Sequence, residues 1–256
     1  MPFKEGDFVL INYTTKVVED GEERVIDTTV EEVARKAGIY DPRRRYEPYP
    51  VIVGKSKLID AVDEALRSME VGEKKTIEAP PEKAYGPRDQ RLVRRVPIKY
   101  FMRYGRAPRV GEEVEMEVEG RVLRGKVVNV TQRFVHIDFN HPLAGKTLKI
   151  DLEVVEKVDD DREKTRILVA RVAGIPRDSI KVDKDDGHLV IKLPPMILAL
   201  NDLEAILQSI LNDIQEYLSP EKVTFTIEID LKPREAPKET PESSGESRQT
   251  EEESKG

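Results

Sequence analysis

Cysteine and tryptophan are absent from this chain, and histidine occurs three times, as His136, His141 and His188. Without cysteine there is no disulfide, no thiolate nucleophile and no cysteine-held zinc, which fits a reducing compartment or a hot organism that avoids labile side chains. Three scattered imidazoles are too few for a His-rich metal site, so no metal and no cofactor are expected. Also missing is any run of eighteen apolar residues, which argues against a membrane span. The opening MPFKEGDFVLINY has no basic stretch followed by an apolar one, so no signal peptide is expected and the expected location is the cytoplasm.

What the chain has in abundance is charge. Charged residues make up 36% of the 256 positions against 38% hydrophobic ones, a composition that favours globular units under a highly solvated surface. The length points to two or three domains with modest cores. A net charge of -7, unevenly spread, argues against a dedicated nucleic-acid binder. Richness in Glu, Lys and Arg suggests a thermophile.

Along the chain, FVLINYTTKVV from Phe8 reads as a strand running into a turn at Asp20-Gly21, and Val25 to Thr29 resumes the extended pattern. A short helix at Val30 to Ala37 leads into an irregular, decorated loop with the run Arg43-Arg44-Arg45. Val51 to Val53 is a short strand, LIDAVDEALRSM from Leu58 has helical spacing, and Lys74 to Ala79 is again strand-like. The stretch PPEKAYGPRD then punctuates the chain with prolines and a glycine, and by local chemistry alone Tyr85 is a turn aromatic. Arg88 to Arg109 carries eight basic residues against one acid, a compositional shift of the kind that marks a boundary. Beyond it, apolar and charged residues alternate with Gly111, Gly120 and Gly125 as turn points, which predicts a small all-β module. His141 to Gly145 makes a turn, and LKIDLEVV from Leu148 is a strong strand.

Asp159-Asp160-Asp161 reads as a linker. After it, Thr165 to Val172 and His188 to Leu193 read as strands separated by a loop at Asp185-Asp186-Gly187. Asn201 can cap a helix with Glu204 three places on, and Leu203, Ile206, Leu207, Ile210, Leu211, Ile214 and Leu218 form one apolar stripe. Val223 to Leu231 closes this part as a strand. From Pro233 the chain is almost free of apolar residues, so 233–256 reads as a disordered acidic tail.

The order of a strand with Tyr13, then VIDTT, YPVIVGKSKLIDAVDEAL, MEVGEKKTIEAPPEKAYG and NHPLAGKTLKIDLEVV resembles an FKBP-type peptidyl-prolyl cis-trans isomerase. It is similar in particular to the SlyD-like, long archaeal type, which carries a chaperone domain inserted in the flap. The resemblance covers about Lys4 to Lys157. It implies an α+β fold in which an FKBP-like antiparallel half-barrel sheet wraps a short helix, with an inserted all-β domain and a C-terminal α+β domain. The expected divisions are 1–86 with 140–158 for the isomerase domain, 87–139 for the insert, 160–232 for the C-terminal domain and 233–256 for the tail.

The same resemblance places Tyr13, Asp27, Ile59 and Tyr85 in the catalytic site and Tyr49, Leu58, Val62 and Ile150 in the proline-binding wall. By periodicity alone Leu58, Ile59 and Val62 are ordinary core positions. Two positions depart from the family: Val62 stands where a tryptophan floor is common, and Ile150 where the last strand often has phenylalanine. Rotation about an X-Pro bond loses amide resonance, with a barrier of about 20 kcal/mol, and needs no nucleophile or metal. It needs a surface that holds the twisted amide better than the planar one. Tyr85 can donate a hydrogen bond to a substrate carbonyl, the backbone N–H of Ile59 can hold the extended chain, and Asp27 acts either on the rotating carbonyl or structurally on Tyr13 or a turn. Proton transfer is not part of the chemistry, so His141 reads as a turn residue.

For the insert, the resemblance implies a surface for unfolded chain, with Val96, Ile98, Tyr100, Phe101 and Met102 as its candidates. The implied partners are unfolded or nascent polypeptides containing proline. The helix stripe of 160–232 has two covers, its own sheet or a second copy of the chain in a homodimer. The competing function is a non-catalytic holdase or ribosome-associated chaperone.

Overall fold

The computed structural model describes residues 2–229 apart from Asp20, Lys57, Tyr104 and Glu119 and the side chain of Val118; the acidic tail lies outside the described residues. The chain opens with β1 (Phe8–Glu19), β2 (Glu22–Thr28), α1 (Glu31–Lys36), β3 (Tyr49–Ile52), α2 (Asp60–Leu66) and β4 (Lys74–Ala79). It then leaves this sheet for β5 (Val93–Pro97), the short α3 (Ile98–Met102), β6 (Glu113–Val118), β7 (Arg121–Val130) and β8 (Phe134–Asp138). These strands form a separate antiparallel sheet ordered β5-β8-β7-β6. The chain returns as β9 (Thr147–Val158), which slots between β1 and β4 to give the order β2-β1-β9-β4, with β3 also paired to β1. Last come α4 (Asp161–Ala173), β10 (Lys181–Asp185), β11 (His188–Leu193), α5 (Leu203–Tyr217) and β12 (Lys222–Ile227), whose strands form a third sheet. This is the expected α+β architecture. Among the described residues no helix is long and apolar enough to cross a membrane.

Four consecutive buried residues, Phe8, Val9, Leu10 and Ile11, show that the first half of β1 is covered on both faces. Because side chains alternate along a strand, Val9, Ile11 and Val17 enter one core with Val62, Leu66 and Ile150, around α2. Phe8 and Leu10 point the other way, into a core built with Ile52, Val158, α4 and α5. A register shift between Leu10 and Ile11 in the β1·β9 ladder pairs Phe8 with Val158 and Ile11 with Val154. Such a bulge flips the face on which successive side chains fall. It therefore sends Val158 to the second core while Leu148, Ile150, Leu152 and Val154 remain in the first.

Several local expectations give way to this packing. Thr165 to Val172 is not a strand but part of α4, which Asp160 caps by accepting from the Arg162 N–H at 3.3 Å and Gly174 ends at φ 65°. Ile167, Leu168 and Val169 are all buried, so the helical period is hidden, and β-branched content read as strand propensity is overridden by tertiary contact. The aspartate triplet is thus a helix start rather than a slack linker. Helix α5 begins after Asp202, which sits in the left-handed region at φ 56° with no side-chain cap bond, so Asn201 is not its cap. Its stripe packs into the same second core, with Ile210 and Ile214 fully buried and Leu203, Ile206, Leu207 and Leu218 half-buried.

The insert is not purely β, since α3 interrupts it. Gly125 is no turn either: it lies within β7, where an added Cβ would meet Ile137 Cγ2 at 2.5 Å and Phe139 Cδ1 at 2.7 Å. Phe101 is a further correction, because it is buried with Val127, Val135 and Ile137 in the insert's small core instead of lying on its surface. Val96 and Ile98 pack against that core, whereas Tyr100 and Met102 are exposed.

Candidate active site

The motif VIDTT is the first fixed point of the site. Thr28 and Thr29 pin the backbone of Tyr13: the Thr28 hydroxyl donates to the Tyr13 carbonyl at 3.0 Å, and the Tyr13 N–H donates to Thr29 Oγ1 at 2.9 Å. Thr28, fully buried, also shares a 2.8 Å bond with Thr14. With its backbone held, Tyr13 points its ring across the sheet, and its hydroxyl donates to Asp27 Oδ2 at 2.8 Å.

Helix α2 supplies the opposite wall. Ala61, Val62, Ala65 and Leu66 bury one side of it, and Asp60 and Asp63 in the first turn suit the positive end of the helix. Asp63 also accepts from the Gly54 N–H at 2.6 Å, tying the helix to the end of β3. The helix starts at Asp60, so Leu58 and Ile59 are the extended lead-in, with Ile59 at φ -66° and ψ 139°.

Between sheet, lead-in and flap lies a cavity of roughly 350 Å³. All eight expected residues line it: Tyr13, Asp27, Tyr49, Leu58, Ile59, Val62, Tyr85 and Ile150. Val62 and Ile150, with Ile11, Leu148 and Leu152, are buried and make an apolar floor, while Tyr49 and Tyr85 stand exposed at the rim. Tyr49 meets Tyr13 edge to face, with ring centroids 6.1 Å apart. Tyr85 lies flat on His141, the rings 4.2 Å apart and within 2° of parallel. His141 is a turn residue, as its spacing suggested, with Nδ1 accepting from the Leu143 N–H at 3.2 Å; the sequence did not show that its ring backs the tyrosine.

Arg44 is the residue sequence reasoning missed. Its guanidinium donates to Asp27 Oδ1 and lies 3.5 Å from the Tyr13 hydroxyl. Asp27 therefore engages both oxygens, one with Tyr13 and one with Arg44. The loop that carries Arg44 is ordered by stacking of Tyr40 on Tyr46, with Arg35 above Tyr40 at 3.6 Å. A tyrosine pair flanking an arginine run was the only signal available in the sequence.

Burial, together with the bond to Asp27, pushes the Tyr13 hydroxyl up to about 12, despite the opposing pull of Arg44. The phenol is therefore a neutral donor at all ordinary pH. Because the folded value lies above the ordinary 10, the linked stability is complete below pH 10 and is lost as pH rises through about 12. Titrating the phenols by ultraviolet absorbance should show a late step that disappears in Tyr13→Phe. A late step that survives the substitution would assign it to another tyrosine.

A twisted antiparallel sheet closed over a short helix, with an apolar floor and hydroxyls at the rim, defines an isomerase-type fold of the FKBP class. Residues 2–105 match the family described as FKBP-type peptidyl-prolyl cis-trans isomerase, and residues 161–230 match the FKBP26 C-terminal family. The chain is 44% identical over 151 residues to the short-type peptidyl-prolyl cis-trans isomerase of Methanocaldococcus jannaschii, covering 59% of this chain and 91% of that one. It is 32% identical over 146 residues to the FKBP-type isomerase SlyD of Aeromonas hydrophila, 57% of this chain and 60% of the relative. Against the FKBP-type 16 kDa isomerase of Escherichia coli the figures are 28% over 149 residues, 58% and 89%. The chain belongs to the FKBP-type peptidyl-prolyl cis-trans isomerase family and is an isomerase.

Proposed function

We propose that this chain accelerates X-Pro isomerisation in folding polypeptides by holding proline in the 350 Å³ cavity, and that the insert retains unfolded chain beside it. The observation that carries this reading is the meeting of eight residues from four strands, helix α2 and its lead-in, and the flap around one apolar floor. The planar amide is more polar than the twisted one, so an apolar floor that strips its water favours the twisted state relative to the ground state. Tyr85, held flat by His141, donates to a substrate carbonyl, and the Ile59 N–H donates to the chain on the other side. Asp27 and Arg44 keep Tyr13 in place as part of the wall.

The insert's part is a surface with exposed Tyr100, Met102, Val110 and Val122 on a small closed core. Methionine and aromatic side chains adapt to varied apolar segments. A proline-limited refolding assay tests the whole reading. Tyr85→Ala is expected to slow catalysed refolding by about tenfold, the loss of one positioning bond to substrate, and Asp27→Ala by a similar factor through the freed Tyr13 and Arg44. Unchanged refolding rates with retained suppression of aggregation would instead make the chain a non-catalytic holdase.

A further inference from the structure

A second cavity, of roughly 740 Å³, lies between the isomerase sheet and the C-terminal part of the chain. One wall is Pro50, Ile52 and the Tyr49 and Leu58 side chains; the other is Ile167, Ala170, Ile175 and Pro176. Tyr49 and Leu58 line both this cleft and the proline cavity, so they are the ridge between the two. A chain leaving the proline cavity over the exposed Tyr49 rim enters the cleft directly.

Arg177 lines the cleft as an ion-paired cation. The Arg177 side chain is only 19% exposed, with Nη1 at 3.4 Å from Glu163 and Nη2 at 3.8 Å from Glu47, yet Nη1 makes no hydrogen bond and is shielded from solvent. The other cations at the cleft are ion-paired as well, Arg171 with Asp213 at 2.8 Å and Lys55 with Glu216 at 3.4 Å. Cavities of several hundred Å³ between structural units are where ligands bind.

We propose that this cleft takes the apolar stretch of polypeptide adjoining the bound proline. The C-terminal part of the chain then contributes to substrate affinity, not only to packing. The inference rests on the proline-cavity reading above.

The test uses the full chain and two blocked peptides, a tetrapeptide centred on proline and the same core extended by apolar residues on both sides. Wild type should bind the extended peptide with KM lower by about tenfold at similar kcat, the worth of the added apolar contact. Ser209→Trp, from an exposed α5 position that lines the cleft, should abolish this advantage by filling it. Ala170→Phe, from the α4 wall of the cleft, should do the same. Both variants should turn over the tetrapeptide as wild type does, which also shows that they fold. No advantage for the extended peptide in wild type, or one that persists in both variants and so belongs to the insert, overturns the inference. No turnover of the tetrapeptide by wild type removes the proline-cavity reading itself, and the cleft with it.

Discussion

A chain in which residues 87–139 are replaced by a short loop is expected to isomerise a small proline peptide almost as well as the intact chain, yet to lose catalysis of a refolding protein by roughly 100-fold. The insert leaves and rejoins the first sheet where Ala79 of β4 pairs with Leu148 of β9. Its two stalk segments are clamped to each other. Gly145 N–H donates to the Gly86 carbonyl at 2.9 Å, the Asp89 N–H donates to Asn140 Oδ1 at 2.8 Å, the Asn140 amide returns to the Asp89 carbonyl at 2.9 Å, and Arg88 pairs with Asp138 at 2.7 Å. None of the insert's core residues, Phe101, Val127, Val135 and Ile137, reaches the proline cavity. Tyr85 and His141 both lie outside the deleted stretch, so the rim stack can survive. What disappears is the capture surface and the raised effective concentration of a held chain at the site. Equal losses on peptide and protein would sink this division of labour.

Phe8→Ala should destabilise the whole chain by about 3 to 5 kcal/mol in urea unfolding, the range for truncating a buried phenylalanine. Phe8 is 2% exposed and shares one cluster with Leu10, Ile52, Val158 and the α4 and α5 side chains. Its ring meets Tyr217 edge to face at 5.4 Å. Because that cluster belongs at once to the isomerase sheet and to the C-terminal part, the two should unfold in a single transition that shifts as one. Val122→Ala, at a 70% exposed insert position, is the control and should change stability by no more than about 0.5 kcal/mol. A loss below about 1 kcal/mol for Phe8→Ala would mean that the C-terminal part does not pack on the sheet.

The site was unusually legible because its residues sit in short motifs whose order along the chain is distinctive. VIDTT declares Asp27 and the AYG motif places Tyr85 on the flap, whereas the pinning of Tyr13 by Thr28 and Thr29 came from the fold. Arg44 was not legible, since nothing in a loop between α1 and β3 says which of three neighbouring arginines reaches inward. The C-terminal part was the least legible: Ile167, Leu168 and Val169 are all buried, so no stripe betrays α4, and β-branched residues suggest a strand. The surface assignment of Phe101 failed for a similar reason. An aromatic among basic residues reads as an exposed platform, but the insert's small core needed a large side chain to fill it.

By itself the sequence determined the extended character of β1 and β9 and the apolar side of α2, because each is set by residues close in the chain. Only the tertiary structure decided what Arg43, Arg44 and Arg45 do. Arg43 pairs within its own loop with Asp41 at 3.2 Å, Arg44 reaches Asp27 in the cavity wall, and Arg45 reaches Asp178 in the C-terminal part at 2.8 Å. Identical side chains acquire three roles because a guanidinium pairs with whichever carboxylate the fold brings within reach. The bulge that turns Val158 away from Val154 was decided the same way: one extra residue in the ladder assigns neighbouring apolar groups of a single strand to two different cores.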